Sequence, residues 1–226
     1  MFNTKAIFNL QLKQKSVFIF ILFIFLSFQV FSQRGGFKWS GDGNSYYRIE
    51  NNSVMQYTLP ENSAKVLISK EQLTPKNSSS PLDVRYLISS NDEQKVLIFT
   101  NTKRVWRLNT KGDYWVLDIA KGSLTQLGTS LPEASLMFAK FSPDGKAVAY
   151  VSNNNIYVED LNTSNIKALT TDGSTTLING TFDWAYEEEF FCRDGFRWGP
   201  DGKSIAYWQI DANQIRDYYM LNTTDS

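Results

Sequence analysis

The sequence predicts an all-β fold: a partial β-propeller of roughly four antiparallel blades, with one short helical acidic loop and a signal peptide in front. Three observations carry that expectation. One turn signature occurs four times, as Trp39-Ser-Gly-Asp-Gly43, Ser89-Ser-Asn-Asp-Glu93, Phe141-Ser-Pro-Asp-Gly-Lys146 and Trp198-Gly-Pro-Asp-Gly-Lys203. The positions equivalent to its serine (40, 90, 142 and 199) recur in nearly constant phase. Each copy leads into a strand-like run. A period of about fifty residues with several short strands per unit marks propeller blades, small antiparallel sheets that bury their faces against one another.

Residues 1–32 stand ahead of the repeat. Of the 23 basic residues, Lys5, Lys13 and Lys15 fall here, together with none of the 23 acidic ones. They run into the apolar segment Val17 to Leu26, which continues to Phe31, and the small residues Val30 and Ser32 precede Gln33. A basic start, an apolar middle and small residues before a cut read as a secretory leader. The protein is therefore expected to be exported (periplasmic, cell-surface or secreted), with its folded domain at 33–226. An uncleaved anchor over residues 17–31 is the rival reading, although such a run is shorter than the ~20 residues that span a bilayer.

The expected strands after the four turns are Ser45 to Ile49, Lys95 to Thr100, Ala147 to Val151 and Ser204 to Trp208. In the third unit Asn153-Asn-Asn155 joins the first strand to Ile156–Leu161, because asparagine tolerates the positive φ of a tight hairpin. A third strand, Lys167 to Thr170, ends at Asp172-Gly173. The last unit begins near Trp198 and the sequence stops at Ser226, so the expected fourth blade is incomplete and leaves a sheet edge.

Composition excludes several chemistries. Histidine is absent, which removes a Ser-His-Asp or Cys-His triad, a histidine-ligated metal and an imidazole proton shuttle. The single cysteine, Cys192, allows neither an internal disulfide nor a thiolate zinc cluster, and it is expected to be buried. No cofactor or metal is called for. Beyond residue 32 acids outnumber bases by three, so no basic field exists for nucleic acid.

The densest stretch of functional residue types is Asn179 to Trp198. Asp183 can cap a short helix from Trp184 to Phe190, its side chain accepting from the amides of the next turn. Glu187, Glu188 and Glu189 then fan out in steps of about 100°, so at most two neighbours can face one ligand. Two carboxylates at one point repel unless a cation lies between them. A primary ammonium suits that place, since its three donors can satisfy both. The alternative is a solvated acidic face.

This stretch, Asp183-Trp-Ala-Tyr-Glu-Glu-Glu-Phe190 followed by Arg193-Asp-Gly-Phe-Arg-Trp198 and Pro200-Asp-Gly-Lys-Ser-Ile-Ala-Tyr-Trp-Gln-Ile-Asp211, resembles the propeller domain of dipeptidyl peptidase IV in the prolyl oligopeptidase superfamily. The resemblance implies that Glu188 and Glu189 grip the free N-terminus of a peptide substrate. It also implies that Arg107, in Trp106-Arg107 ahead of Tyr114-Trp-Val-Leu-Asp118, reaches a substrate carbonyl. Ala185 and Gly199 depart from the valine and serine usual there. Family members place an α/β-hydrolase domain after the propeller, with a Gly-x-Ser-x-Gly elbow that these 226 residues do not contain. The implied function is the substrate-recognising propeller portion of an exported serine peptidase, partnered by peptide N-termini and by that catalytic domain. Two other readings stay open: a stand-alone exported binding module, and a truncated or split product. No oligomeric state follows from the sequence.

Overall fold

The computed structural model describes residues 37–216, 219 and 221; the expected leader lies outside the described residues. Three four-stranded antiparallel sheets follow one another along the chain, each a simple meander. The first holds β1 (Phe37–Trp39), β2 (Ser45–Glu50), β3 (Ser53–Thr58) and β4 (Ser63–Ile68). The second holds β5 (Tyr86–Ser89), β6 (Lys95–Val105), β7 (Leu108–Asp118) and β8 (Ser123–Gln126). The third holds β9 (Met137–Phe141), β10 (Ala147–Ser152), β11 (Asn155–Asp160) and β12 (Ile166–Ala168). A fourth unit contains β13 (Leu177–Asn179), the helix α1 (Trp184–Phe190), β14 (Phe196–Trp198), β15 (Ile205–Tyr207) and β16 (Gln209–Asp211), paired as β13–β16 and β14–β15.

All four copies of the turn signature close the first hairpin of their unit, and three close it with the same bonds. The hydroxyls of Ser40, Ser90 and Ser142 donate to Asp42, Asp92 and Asp144, and each accepts from the amide five residues on. In the fourth copy Asp201 still accepts from the Lys203 amide, and Gly199 donates its N–H to the Ser204 carbonyl at 2.7 Å. A Cβ added at Gly199 would lie 2.4 Å from the Ser204 hydroxyl. Ser204 therefore occupies the space that the turn serine fills elsewhere, which accounts for the glycine.

The central strands read as unbroken apolar runs because they are buried on both faces. Along β6, Val96 and Ile98 point to a cluster with Val54, Ile68, Leu73 and Leu117, while Leu97 and Phe99 point to another with Tyr114, Val116, Ala139 and Tyr150. Strand β10 repeats the pattern, with Val148 and Tyr150 in the second cluster and Ala149 and Val151 in a third with Ile156 and Phe196. One strand thus welds two intersheet cores. Each fully buried aliphatic side chain contributes about 1.5–3 kcal/mol of transfer free energy.

The hairpins differ in reach. β2–β3 and β10–β11 have six-residue arms and turn through asparagines at positive φ, Asn51-Asn52 and Asn153-Asn154. The arms of β6 and β7 have eleven residues each, and the turn is Trp106-Arg107 with Trp106 at φ 48°. Five extra residues per arm, at ~3.3 Å each, carry that tip about 16 Å further than its counterparts.

Candidate functional site

The site is built from two excursions out of regular sheets. The first is the β6–β7 hairpin. Its protruding half is braced at the root: the Asn101 amide donates to Asp113 and Glu133, and the Ala134 N–H donates to Asp113. Gly112 and Leu136 exchange backbone hydrogen bonds, both 3.0 Å long. At the tip the Arg104 Nε donates to the Trp106 carbonyl at 2.8 Å. Arg107 thereby stands at the end of a supported arm, its side chain largely exposed.

The second excursion leaves the fourth unit. Gly180 donates to the Trp208 carbonyl at 2.9 Å, and Trp208 donates to the Gly195 carbonyl at 2.8 Å, so both glycines oppose the same tryptophan. Gly195 also donates to the Gly180 carbonyl at 3.1 Å. One strand has in effect been opened between these glycines, and residues 181–194 loop out of it. The pinch excludes side chains: a Cβ at Gly195 would fall 2.9 Å from the Gly180 carbonyl carbon.

Within the loop Asp183 caps α1 by accepting from the Tyr186 N–H at 3.0 Å, and the left-handed Phe191 (φ 55°, ψ 24°) ends it, as the sequence predicts for residues 184–190. The three glutamates take three environments. Glu187 is buried, its Oε1 3.4 Å from the Arg193 Nε. Glu188 has a side chain only 8% exposed, with Oε2 2.6 Å from the Arg107 Nη2. The other Glu188 oxygen, Oε1, is buried with no hydrogen-bond partner among the described residues. Glu189 is exposed and forms no ion pair among the described residues. The structure thus joins Arg107 to Glu188, positions far apart in sequence, and sets Glu189 about 100° further round the helix.

Two contributors were not foreseen. Arg193 faces Glu187 across the left-handed turn. Lys140, on β9, reaches Asp194 Oδ1 at 2.5 Å and the Phe138 carbonyl at 3.1 Å, and lies 3.6 Å from the centre of the Phe196 ring. Burial lowers the Lys140 ammonium to about 8, against the opposing pull of Asp194. This contact fastens the base of the helical excursion to the third sheet.

Around the acidic helix Phe182 stacks on Tyr186, Tyr186 meets Phe190 at a tilt, and Phe182 also meets Trp208. Phe182, Phe191, Cys192, Arg193 and Trp208 help to line a cavity of about 590 Å³. Cys192 is partly exposed there, contrary to the expectation that it would be buried, because it follows the helix-ending turn instead of entering a strand. Tyr150 is fully buried, whereas Trp106 and Tyr207 are exposed.

The sequence and the fold are both shared with known proteins. The profile of the dipeptidyl peptidase IV (DPP IV) N-terminal region matches residues 90–226, which include both excursions. Dipeptidyl aminopeptidase B of Saccharomyces cerevisiae is 32% identical over 192 residues, covering 82% of this chain and 23% of that protein. A probable dipeptidyl-aminopeptidase B of Arthroderma benhamiae is 32% identical over 184 residues, covering 80% of this chain and 20% of its own length. The crystal structure of Porphyromonas gingivalis dipeptidyl peptidase 4 superposes with a TM-score of 0.74 at 24% identity, over 85% of this chain and 27% of the other, and so shares the fold. The chain spans between a fifth and a quarter of the length of these peptidase relatives. With successive four-stranded antiparallel sheets and one short helix among the described residues, and a match to part of a propeller, the chain belongs to the dipeptidyl peptidase IV N-terminal region family.

Proposed function

We propose that this chain is the N-terminal propeller part of an exported dipeptidyl peptidase IV-like serine peptidase, and that Glu188, Glu189 and Arg107 receive the N-terminal end of a peptide substrate. One observation carries the reading. A nearly buried carboxylate, Glu188, is held on one oxygen by the arginine of a specially lengthened hairpin and is unsatisfied on the other. A buried oxygen without a donor is costly, and a substrate ammonium supplies one. The neighbouring Glu189 offers a second, solvent-facing carboxylate. Arg107 has further N–H groups beyond the one on Glu188, free in chemistry to take a carbonyl.

Such anchoring accelerates hydrolysis by positioning, since holding the chain end fixes the distance to the reacting carbonyl. The nucleophile and its base come from outside these 226 residues, which contain no histidine and no Gly-x-Ser-x-Gly. Titration of the chain with Ala-Pro amide and with its N-acetyl derivative tests the reading. Binding of the free amine alone supports it; equal affinity for both contradicts it. Export is part of the same proposal, and amino-terminal sequencing of the product should begin near Gln33. A protein retaining Met1 to Ser32 in the cytoplasm contradicts that part.

A further inference from the structure

We infer that Arg193 is a positioning residue for the ammonium site, acting through Glu187; the inference rests on the proposed reading of Glu188 and Glu189. Three consecutive glutamates on a seven-residue helix fan over too wide an arc to share one environment, and the most deeply buried of them is Glu187, 4% exposed. An uncompensated carboxylate at that depth would drive the helix to roll or unwind. Arg193 supplies the opposing charge 3.4 Å away. It also touches the other leg of the excursion, because its carbonyl accepts from the Thr181 hydroxyl at 2.9 Å. One residue therefore ties the segment before the helix, the helix itself and the segment after it.

That tie sets the rotation of α1 about its axis. Neighbouring side chains are about 100° apart, so even a modest roll would take Glu188 off Arg107 and bury or misdirect Glu189. Charge arithmetic points the same way. Arg193 and Arg107 approach the three carboxylates on different members, Glu187 and Glu188, and leave one net negative charge, which matches one ammonium. Neither Glu187 Oε1 nor Arg193 Nε is in an aligned hydrogen bond, so the pair works by charge more than by bidentate geometry. Lysine should then serve in place of arginine.

Hydrogen exchange over residues 183–192 of the 226-residue chain tests this with R193M, R193K, E187Q and the double variant R193M/E187Q. The amides of Tyr186, Glu187 and Cys192 are bonded within the excursion and report on its order. R193M should exchange at least about tenfold faster than wild type, because it strands Glu187 without a partner. R193K and R193M/E187Q should recover to within about threefold, the first by restoring the charge and the second by removing the need for it. A general packing role for Arg193 predicts no recovery in the double variant. If R193M yields no folded protein, R193K and the double variant decide the point: wild-type-like exchange in both supports the inference, and fast exchange in either overturns it. Unchanged exchange in R193M also overturns it. Titration of the same proteins with Ala-Pro amide and its acetylated form separates the two claims. Wild type that binds both alike refutes the ammonium reading, whereas the exchange series alone decides whether Arg193 holds the helix through Glu187.

Discussion

Replacing Gly180 by alanine probes the point at which the acidic excursion leaves its strand. Gly180 has φ +74°, and a Cβ there would lie 2.7 Å from Ile156 Cγ1 and 2.9 Å from both Ile156 Cδ1 and Val151 Cγ2. Ile156 and Val151 are fully buried, so neither can withdraw. The left-handed backbone costs a non-glycine residue about 1–2 kcal/mol, and forcing a methyl into a packed core adds about 1–3 kcal/mol. Gly43 isolates the first contribution: its φ is +71°, with no atom within 4 Å of an added Cβ. G180A should therefore be about 1–3 kcal/mol less stable than G43A, which for a chain of this size lowers the melting midpoint by a further ~2–12 °C. Thermal unfolding followed by circular dichroism reads the difference directly. Melting of G180A and G43A within about 1 °C of one another would refute the pinch, because the two backbones are strained alike and differ only in space.

Two further outcomes follow from the local chemistry. The Lys140 ammonium lies at about 8 in the folded chain against 10.5 unfolded, so between pH 8 and 10 the unfolded chain holds more protons and stability should rise with pH, by at most about 1.4 kcal/mol per unit from this group. The rise should disappear in Lys140→Met; an identical pH profile for the variant would contradict it. Gly199→Ser should lower the melting midpoint by the equivalent of about 1–3 kcal/mol through its clash with the Ser204 hydroxyl, and Gly199→Ser with Ser204→Ala should restore it. A single variant as stable as wild type would show that the fourth turn does not depend on the exchange.

Much of the fold was legible because its signals are local. Asn153 and Asn154 do adopt positive φ, Asp183 does cap a helix over 184–190, and each turn signature opens onto the predicted strand. The length of β6 was not legible: Val96 to Phe99 is apolar, but Asn101 to Arg104 is polar and reads as loop. It is strand because the hairpin stands clear of the sheets, where both faces meet water, and register shifts between Thr100 and Val105 blur the alternation. The site residues divide the same way. The acidic run marked three glutamates together, and it was the family resemblance that singled out Glu188, Glu189 and Arg107. Arg193 and Lys140 gave no signal, since Arg193 meets Glu187 across a left-handed turn that follows no helical period, and Lys140 meets Asp194 from another sheet. Pairings of that kind are set by tertiary placement, which a single sequence does not display.

On the proposed function, Glu188 and Glu189 hold a substrate's charged N-terminus for a peptidase active site that these 226 residues do not contain. Grafting residues 90–226 in place of the matching region of the yeast dipeptidyl aminopeptidase B, and measuring kcat/KM on an Ala-Pro chromogenic substrate, tests it most directly. Each of Glu188→Gln and Glu189→Gln should lower kcat/KM by about 10- to 150-fold, the equivalent of a charge-assisted hydrogen bond of about 1.5–3 kcal/mol. Acetylating the substrate's N-terminus should cost at least as much. A graft that cleaves free and acetylated peptides equally well, or that keeps its activity with both glutamates replaced, would contradict the account and leave the acidic run as a solvated face.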